Sequence, residues 1–538
     1  MLLRERPLRL DPARLPLEPF WAELLARRLD RPEELSQRWQ DLLPPRLKDM
    51  DAAVQRIATA VARRELILIY GDYDVDGTCA TALLYRVLQH CGARVAYFIP
   101  HRRRHGYGLN PRGLAEVLAG PRPDLIITVD NGTAAHRGAE QLRQLGIDLI
   151  ITDHHLGDGP LPPAVAVLNP NRPDEDFPSK NLAGVGVAFY LAWALRDHFG
   201  FAAKVSDLLD WVALGTVADI VPLDWNNRIL LHHGLRRLRR GDNIGLRALA
   251  AVAGVDLARA SCADIGFALA PRLNAGGRLG DMGDSLRLLL SADEDEALRL
   301  ARQLDATNRR RKELEQEQLA RIEPGPEPLL AVYQPDGHEG LSGIVAARLK
   351  TTYRRPALVA TDGEAGWIKG SLRAPAALSV KELLDAGAAA LNLPPDSLIY
   401  GGHRGAGGFS IRAEYYEAFR AALSAAVPPT VEEVWEHDGP LPPAAFNLAT
   451  AEALALQPWG EGFPAPLWAN RCRLSDHRPL SGGHCRFTAQ LPTGERFPAV
   501  YFNQAPASLP SEALLLFQLD INRYQGRASL QLLVRGLG

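Results

Sequence analysis

An apolar run, Leu66-Ile67-Leu68-Ile69-Tyr70, stops at Gly71 and gives way to aspartates at alternate positions, Asp72, Asp74 and Asp76, closed by Gly77. A strand that is apolar on both faces is buried on both faces, as in a parallel sheet. Alternate residues of an extended segment share a face. The sequence therefore predicts the carboxylates side by side just past the strand's carboxyl end, the edge at which open α/β sheets bind ligands. Clustered carboxylates repel unless a cation lies among them. The stretch reads either as a cation site or as a polar turn, since Asp and Gly both favour turns. A calcium loop of the EF-hand type fits less well. Its twelfth position, which needs a bidentate Glu, is Leu83, and a long strand precedes it.

The same grammar recurs downstream. Thr78 to Cys91 reads as a helix and Arg94 to Pro100 as a second strand. Leu125-Ile126-Ile127-Thr128-Val129 is a third, ending in Asp130-Asn131-Gly132. Leu149-Ile150-Ile151-Thr152 is a fourth, ending in Asp153-His154-His155. Repeated βα units predict a right-handed, doubly wound parallel sheet. Asp and His groups then arrive at one edge, and imidazole with carboxylate suits Mn²⁺ or a similar divalent ion. Gly184 to His198 and Val205 to Ala218 read as helices. Asp219 follows inside an apolar run, Val217-Ala218-Asp219-Ile220-Val221-Pro222, where a charge needs a partner or a metal.

A chain of 538 residues is too long for one core. The expected division is an N-terminal arm over 1–48, a catalytic α/β domain over 49–290, a connecting helix over 291–325, a second α/β domain over 326–428 and a barrel over 429–538. Leu298 to Ile322 is the connecting helix, charged nearly all round and ended by Pro324-Gly325-Pro326. The last stretch holds short strands and turns, the pattern of a small Greek-key barrel such as an OB-fold. The net charge of −2 neither indicates nor excludes a nucleic-acid partner, because local patches decide. Five scattered cysteines without CxxC spacing suit a reducing cytoplasm. No uncharged apolar run reaches the ~18 residues of a membrane span, and the N-terminus lacks a signal peptide's apolar core.

Several stretches suit a nucleic-acid backbone. The loop Arg102-Arg103-Arg104-His105 leads to Tyr107 between glycines, which fits phosphate contact and base stacking, or a solvated loop. Pro271 to Gly280 is Gly-rich and carries Arg272, Asn274 and Arg278; glycines let a backbone approach phosphate and Arg grips it bidentately. His338, Ser371 with Arg373, and His403 lie among glycines denser than packing requires, although tight turns would also use them. Arg236 to Arg240 reads as a solvated helix face. Trp459, Phe463, Tyr501 and Tyr524 could stack on bases or fill a core.

Asp-Tyr-Asp-Val-Asp-Gly, Val-Asp-Asn-Gly, Asp-His-His and Val-Ala-Asp-Ile-Val-Pro occur here in order. Together they resemble the DHH phosphoesterase superfamily, and His-Glu-Gly with Gly-Gly-His resemble its associated domain. With Pro-Arg-Leu-Asn-Ala-Gly and the terminal barrel, the chain from about residue 45 resembles the RecJ exonuclease family. The resemblance implies a 5′→3′ exonuclease of single-stranded DNA, in recombination and repair, dependent on two Mn²⁺ or Mg²⁺ ions. It implies Asp74, Asp76, Asp130, His154 and Asp219 as ligands, supported by Asp72. It places His155 on the scissile phosphate, Asn274 and Arg278 on the strand, and Ser371 and Arg373 on phosphates at the 5′ end. By analogy it implies a monomer whose partners include a single-strand-binding protein and a RecQ-type helicase. Two alternatives are a phosphodiesterase for short oligonucleotides or cyclic dinucleotides, and a non-catalytic DNA-binding scaffold. Every expected acidic and His position is present, which disfavours the scaffold.

Overall fold

The computed structural model describes residues 2–102, 104–157, 159–429, 434–481, 483–502, 509–524 and 527–538, the side chain of Tyr524 excepted. Arg103 and the Tyr524 ring, both expected near nucleic acid, lie outside these residues. The chain divides into two compact units, Glu5–Ala306 with His437–Gly538, and Thr307–Glu436 with Met1–Arg4. Among the described residues no helix is long and apolar enough to cross a membrane.

The first unit is built on five parallel strands: β1 (Leu66–Tyr70), β2 (Arg94–Phe98), β3 (Leu125–Val129), β4 (Asp148–Thr152) and β5 (Ala166–Leu168). Their spatial order is β2-β1-β3-β4-β5. Every residue of β1 and β3 is buried, as their unbroken apolar runs require. The order reverses between β1 and β3, the switch point where doubly wound sheets open a crevice. Three helices cover the neighbouring face: α1 (Val75–His90), α2 (Gly184–Phe199) and α3 (Leu209–Asp219), with α2 and α3 packed on α1.

Two local expectations change. The three aspartates do not continue an extended face. The Asp74 side chain accepts the Gly77 amide at 3.0 Å and caps α1, so Asp76 falls in the first helical turn. The Gly-rich segment, whose glycines suit the approach of a phosphate, is a helix, α4 (Ala270–Leu279), entered through a π-helical turn at Ile265–Leu269. Its glycines serve a close approach: a Cβ at Gly277 would sit 2.1 Å from the Tyr73 carbonyl.

The helix α5 (Glu294–Ala320) runs from the first unit into the second. The second unit holds β6 (Leu330–Tyr333), β7 (Ala357–Asp362), β8 (Trp367–Arg373), β9 (Leu398–Gly402) and β10 (Ala406–Arg412), in the order β9-β10-β8-β7-β6. Only β6 and β7 pair in parallel. Along β8 burial alternates, so Lys369, Ser371 and Arg373 share the less buried face.

The barrel closes as β11 (Trp468–Leu480), β12 (His484–Gln490), β13 (Arg496–Tyr501), β15 (Arg527–Leu537) and β14 (Glu512–Tyr524). β13 and β15 run parallel and β14 pairs back onto β11. The N-terminal arm ties it to the rest of the first unit. Leu24, on the helix Pro19–Ala26, lies in the barrel's core, while the Leu43 amide bonds Asn226. Arg28 grips Asp438 with two hydrogen bonds of 2.7 and 2.8 Å, both side chains 1% exposed, and Arg6 adds a third at 2.9 Å.

Removing one member of a buried pair strands the other charge. Asp438→Ala, which strands Arg28, is expected to lower unfolding free energy by about 3–5 kcal/mol. Chemical denaturation checks this; a loss within error of zero would show that the pair does not hold arm to barrel.

Candidate metal centre and phosphate-facing residues

The strand ends at the switch point carry the acidic groups inward. Asp72, Asp76, Asp130 and Asp153 are almost fully buried. Asn131 ties the ends of β1 and β3 together, donating to the Gly71 carbonyl at 3.1 Å and to Val129 at 2.9 Å. Asp130 takes a left-handed backbone, φ 61°, which Asp tolerates better than most residues. Three overlapping sets of side chains offer ligand atoms within 4.8 Å of one another: Asp72, Asp74 and Asp130; Asp130, His154 and His155; and Asp76, His154 and Asp219. Two sets meet at Asp130 and two at His154. His154 Nε2 lies 3.1 Å from Asp130 Oδ1, 3.5 Å from Asp219 Oδ2 and 3.9 Å from Asp76 Oδ2.

This donor set fits divalent ions. Asp72 Oδ1 is buried without a hydrogen-bond partner, a state that costs free energy unless a cation compensates. Burial, then neighbouring carboxylates, pushes Asp76 and Asp130 far above the usual carboxylate range. Burial and Asp74 push Asp72 up to about 8 and Asp219 up to about 7. Oxygen and imidazole donors suit Mn²⁺ or Mg²⁺. Glycines make the approach possible. A Cβ at Gly184 would lie 2.6 Å from Asp130, and one at Gly215 2.7 Å from Asp76 Oδ1.

Other groups hold the ligands in place, and the sequence reading missed them. The amides of Gly184 and Val185, opening α2, donate to the Asp76 carboxylate at 2.6 and 2.9 Å. Asp153 accepts the amides of Thr133, His154 and His155, and His155 Nδ1 at 2.8 Å. Burial acts against charge on both partners, yet their mutual bond prevails: Asp153 falls below the usual range and His155 rises to about 9. In the metal-free protein the Asp153 carboxylate therefore favours the protonated imidazole of His155. Asn169 and Asn171 hold the carbonyls of His155 and His154. Asp153 stood in plain sight within Asp-His-His. The two amides left no side-chain signature.

The expected nucleic-acid residues divide. Arg102 stacks over Tyr73, its guanidinium 4.2 Å from the ring centroid, and lowers the Asp72 pKa against burial. Tyr107 is exposed, with its ring edge-on to Tyr73 and its hydroxyl 3.4 Å from His155. Asn274 is engaged internally: its Oδ1 accepts the Val75 amide at 3.1 Å and so braces the aspartate turn. Arg272 pairs with Asp305 at 2.9 Å and the Ala268 carbonyl. Arg278 is half-buried in the last turn of α4. Trp459 and Phe463 stack on each other, and Phe463 belongs to the main core, so neither offers a free face like that of Tyr107. Tyr501 is half-buried beside the barrel core.

In the second unit, Arg373 donates to the carbonyls of Leu372 and Gly407 and has no carboxylate partner among the described residues. Burial lowers its pKa. Gly343 leaves space there: its Cβ would lie 2.8 Å from Arg373 Nη2 and 3.5 Å from Ser371 Oγ. His338 accepts the Gly340 amide at a helical start, and His403 is exposed between β9 and β10.

A doubly wound sheet with an Asp and His cluster at its switch point, a separate mixed-sheet unit and a closed barrel define a metal-dependent phosphoesterase of the DHH class. Residues 66–216 match the DHH family N-terminal domain, 327–427 the DHHA1 domain and 437–536 the RecJ OB domain. The chain is 38% identical to the single-stranded-DNA-specific exonuclease RecJ of Escherichia coli K12, over 97% of this chain and 96% of that one. It aligns with crystal structures of RecJ from Thermus thermophilus in complex with Mn²⁺ and with Mg²⁺. The TM-scores are 0.84 and 0.78 and the identities 31% and 30%, covering 100% of this chain and 79% and 78% of those. The chain belongs to the RecJ family.

The sign of the pH dependence follows from the raised carboxylates. In the metal-free protein Asp72 and Asp219 hold protons that an unfolded chain gives up near 4. Their contribution to stability is therefore complete at low pH and is lost as pH rises through about 7 and about 8. Metal binding needs them ionised, so Mn²⁺ affinity should climb between about pH 6 and pH 8, with proton release. Calorimetry in buffers of different ionisation enthalpy measures both, and a pH-independent affinity contradicts the assignment.

Proposed function

We propose that this chain degrades single-stranded DNA from its 5′ end to 5′-mononucleotides, with two Mn²⁺ or Mg²⁺ ions held by Asp74, Asp76, Asp130, His154 and Asp219 and supported by Asp72. The observation that carries the reading is the overlap of three ligand sets at Asp130 and His154, which suits two adjacent ions better than one. Bound ions supply Lewis-acid activation and neutralise charge on the phosphoryl oxygens.

The chain's own groups do the rest. His155, cationic and fixed by Asp153, donates to a non-bridging oxygen as negative charge grows there. Tyr107 stacks a base beside it, with Arg102 facing the backbone. Arg278, His338 and His403 add backbone contacts. Asn274 and Arg272 contribute indirectly, by fixing the aspartate turn and α4. Ser371 and Arg373 take the 5′ phosphate: a half-buried guanidinium without a carboxylate partner suits an anion. The catalytic and DHH-associated domains, divided near 49–290 and 326–428, thus hold metal and strand end, and the barrel over 429–538 holds more distant strand. We place the protein in the cytoplasm, as a monomer acting in recombination and repair, with a single-strand-binding protein and a RecQ-type helicase as partners.

Digestion of 5′- and 3′-labelled single strands with Mn²⁺, a blunt duplex alongside, tests this. Early release of 5′ label as mononucleotide, with the duplex intact, is expected. Cutting only of two- to four-nucleotide substrates would favour the short-oligonucleotide reading, and binding without cutting the scaffold. Asp130→Ala should abolish hydrolysis. Arg373→Ala should lower the preference for a 5′-phosphorylated over a 5′-hydroxyl end by about tenfold or more, the worth of a charged hydrogen bond; an unchanged ratio would remove Arg373 from the end-binding pocket.

A further inference from the structure

Asp219 is delivered differently from the other acidic groups. Asp76 and Asp130 are anchored at the first turn of α1 and at the sheet edge, with side chains 1% and 2% exposed; the Asp219 side chain is 23% exposed. It is the last residue of α3. The next residue, Ile220, adopts a left-handed backbone with φ 61°. That is a strained state for a β-branched side chain, and Ile220 is also 68% exposed. The far end of the loop is tied to the helix that follows: Asn227 Nδ2 donates to the Pro222 carbonyl and Arg228 Nη1 to the Leu223 carbonyl, both at 3.0 Å.

The loop is also held by the segment that leads into the barrel. The Leu223 amide donates to the Glu461 carbonyl at 2.7 Å. Gly460 and Phe463 close a tight turn with reciprocal hydrogen bonds of 3.0 and 3.2 Å. A Cβ at Gly460 would lie 2.6 Å from Leu223 Cδ1. At Gly462, where φ is 71°, it would lie 3.3 Å from Pro222 Cβ. Phe463 is buried in the core that contains Leu223, under the Arg228 guanidinium at 4.4 Å. Trp459 stacks on Phe463 at 5.3 Å, and Arg28, which grips Asp438, lies 5.5 Å from Trp459.

We infer that Trp459–Phe463 positions the metal ligand Asp219 by pinning the loop 220–223, so that the seating of the barrel and the occupancy of the metal centre are coupled. The inference rests on the reading of Asp219 as a ligand. Simple domain packing would predict lost stability from a change in this segment. Positioning predicts weaker metal binding at unchanged DNA affinity, as when groups behind a metal ligand are altered.

The test uses the full chain carrying Gly460→Ala or Gly460→Val, with Asp219→Ala as reference. Mn²⁺ binding is measured by calorimetry without DNA, single-strand affinity in EDTA, and hydrolysis across a Mn²⁺ series. The Gly460 variants are expected to bind Mn²⁺ about tenfold more weakly, to keep the parent's DNA affinity and to recover hydrolysis at high Mn²⁺. Parental Mn²⁺ affinity in a folded Gly460 variant would overturn the inference, and Gly460→Ala decides it if the larger substitution does not fold. Parental Mn²⁺ affinity in Asp219→Ala would instead overturn the ligand assignment beneath it.

Discussion

Repulsion among carboxylates that the fold will not release to water governs this protein. Asp72, Asp76 and Asp130 are buried, and carboxylates of the same cluster raise their pKa further: Asp74 acts on Asp72, Asp219 and Asp74 on Asp76, and Asp76, Asp74, Asp219 and Asp72 on Asp130. Buried like charges cannot all ionise without compensation. The surrounding structure supplies it in fixed portions: two amides at the start of α2 for Asp76, the imidazolium of His155 for Asp153, the Arg102 guanidinium for Asp72. What remains is a deficit of positive charge at a defined place, which a divalent ion fills. The switch point of the sheet, not any single residue, creates that place, because it is where the ends of β1 and β3 diverge.

Closeness of this kind demands small residues. Gly184, Gly215 and Gly277 each stand where a single methyl would collide with the aspartate cluster or its turn. They sit inside helices, where glycine is intrinsically unfavourable. Helix propensity is overridden so that α2, α3 and α4 can bring their backbones to the carboxylates, and amides as well as side chains become part of the site.

This explains what the sequence made legible. Strands β1, β3 and β4 were readable because a doubly buried strand leaves an unbroken apolar run, and Asp130, His154 and His155 because they interrupt such runs at the end. Asp76 was found for a partly mistaken reason: alternation along an extended segment was expected, but the Asp74 cap starts a helix there. The helix over Pro271 to Leu279 was not legible, because glycine density looks the same whether it admits a phosphate or a neighbouring backbone. Trp459 and Phe463 were ambiguous for a similar reason, since an aromatic ring is equally suited to a base and to a core. The amides of Gly184 and Val185 were illegible, because a backbone donor is common to every residue.

The neutral composition has a physical reading too. Arginine is abundant, yet the buried arginines of both units are largely matched internally: Arg27 with Glu5 and Glu23, Arg28 with Asp438, Arg172 with Asp49 and Asp174, Arg311 with Glu315. Pairs of this kind fix geometry and cancel in the net charge, so the sum of −2 is silent about the partner. Two arginines differ: Arg102 stacks on Tyr73 beside the carboxylate cluster, and Arg373 on β8 donates to the carbonyls of Leu372 and Gly407 and has no carboxylate partner among the described residues. Few such groups suffice where bound metal carries most of the phosphate's charge. The proposed strand contacts therefore rest on where such arginines stand, not on how many the chain carries.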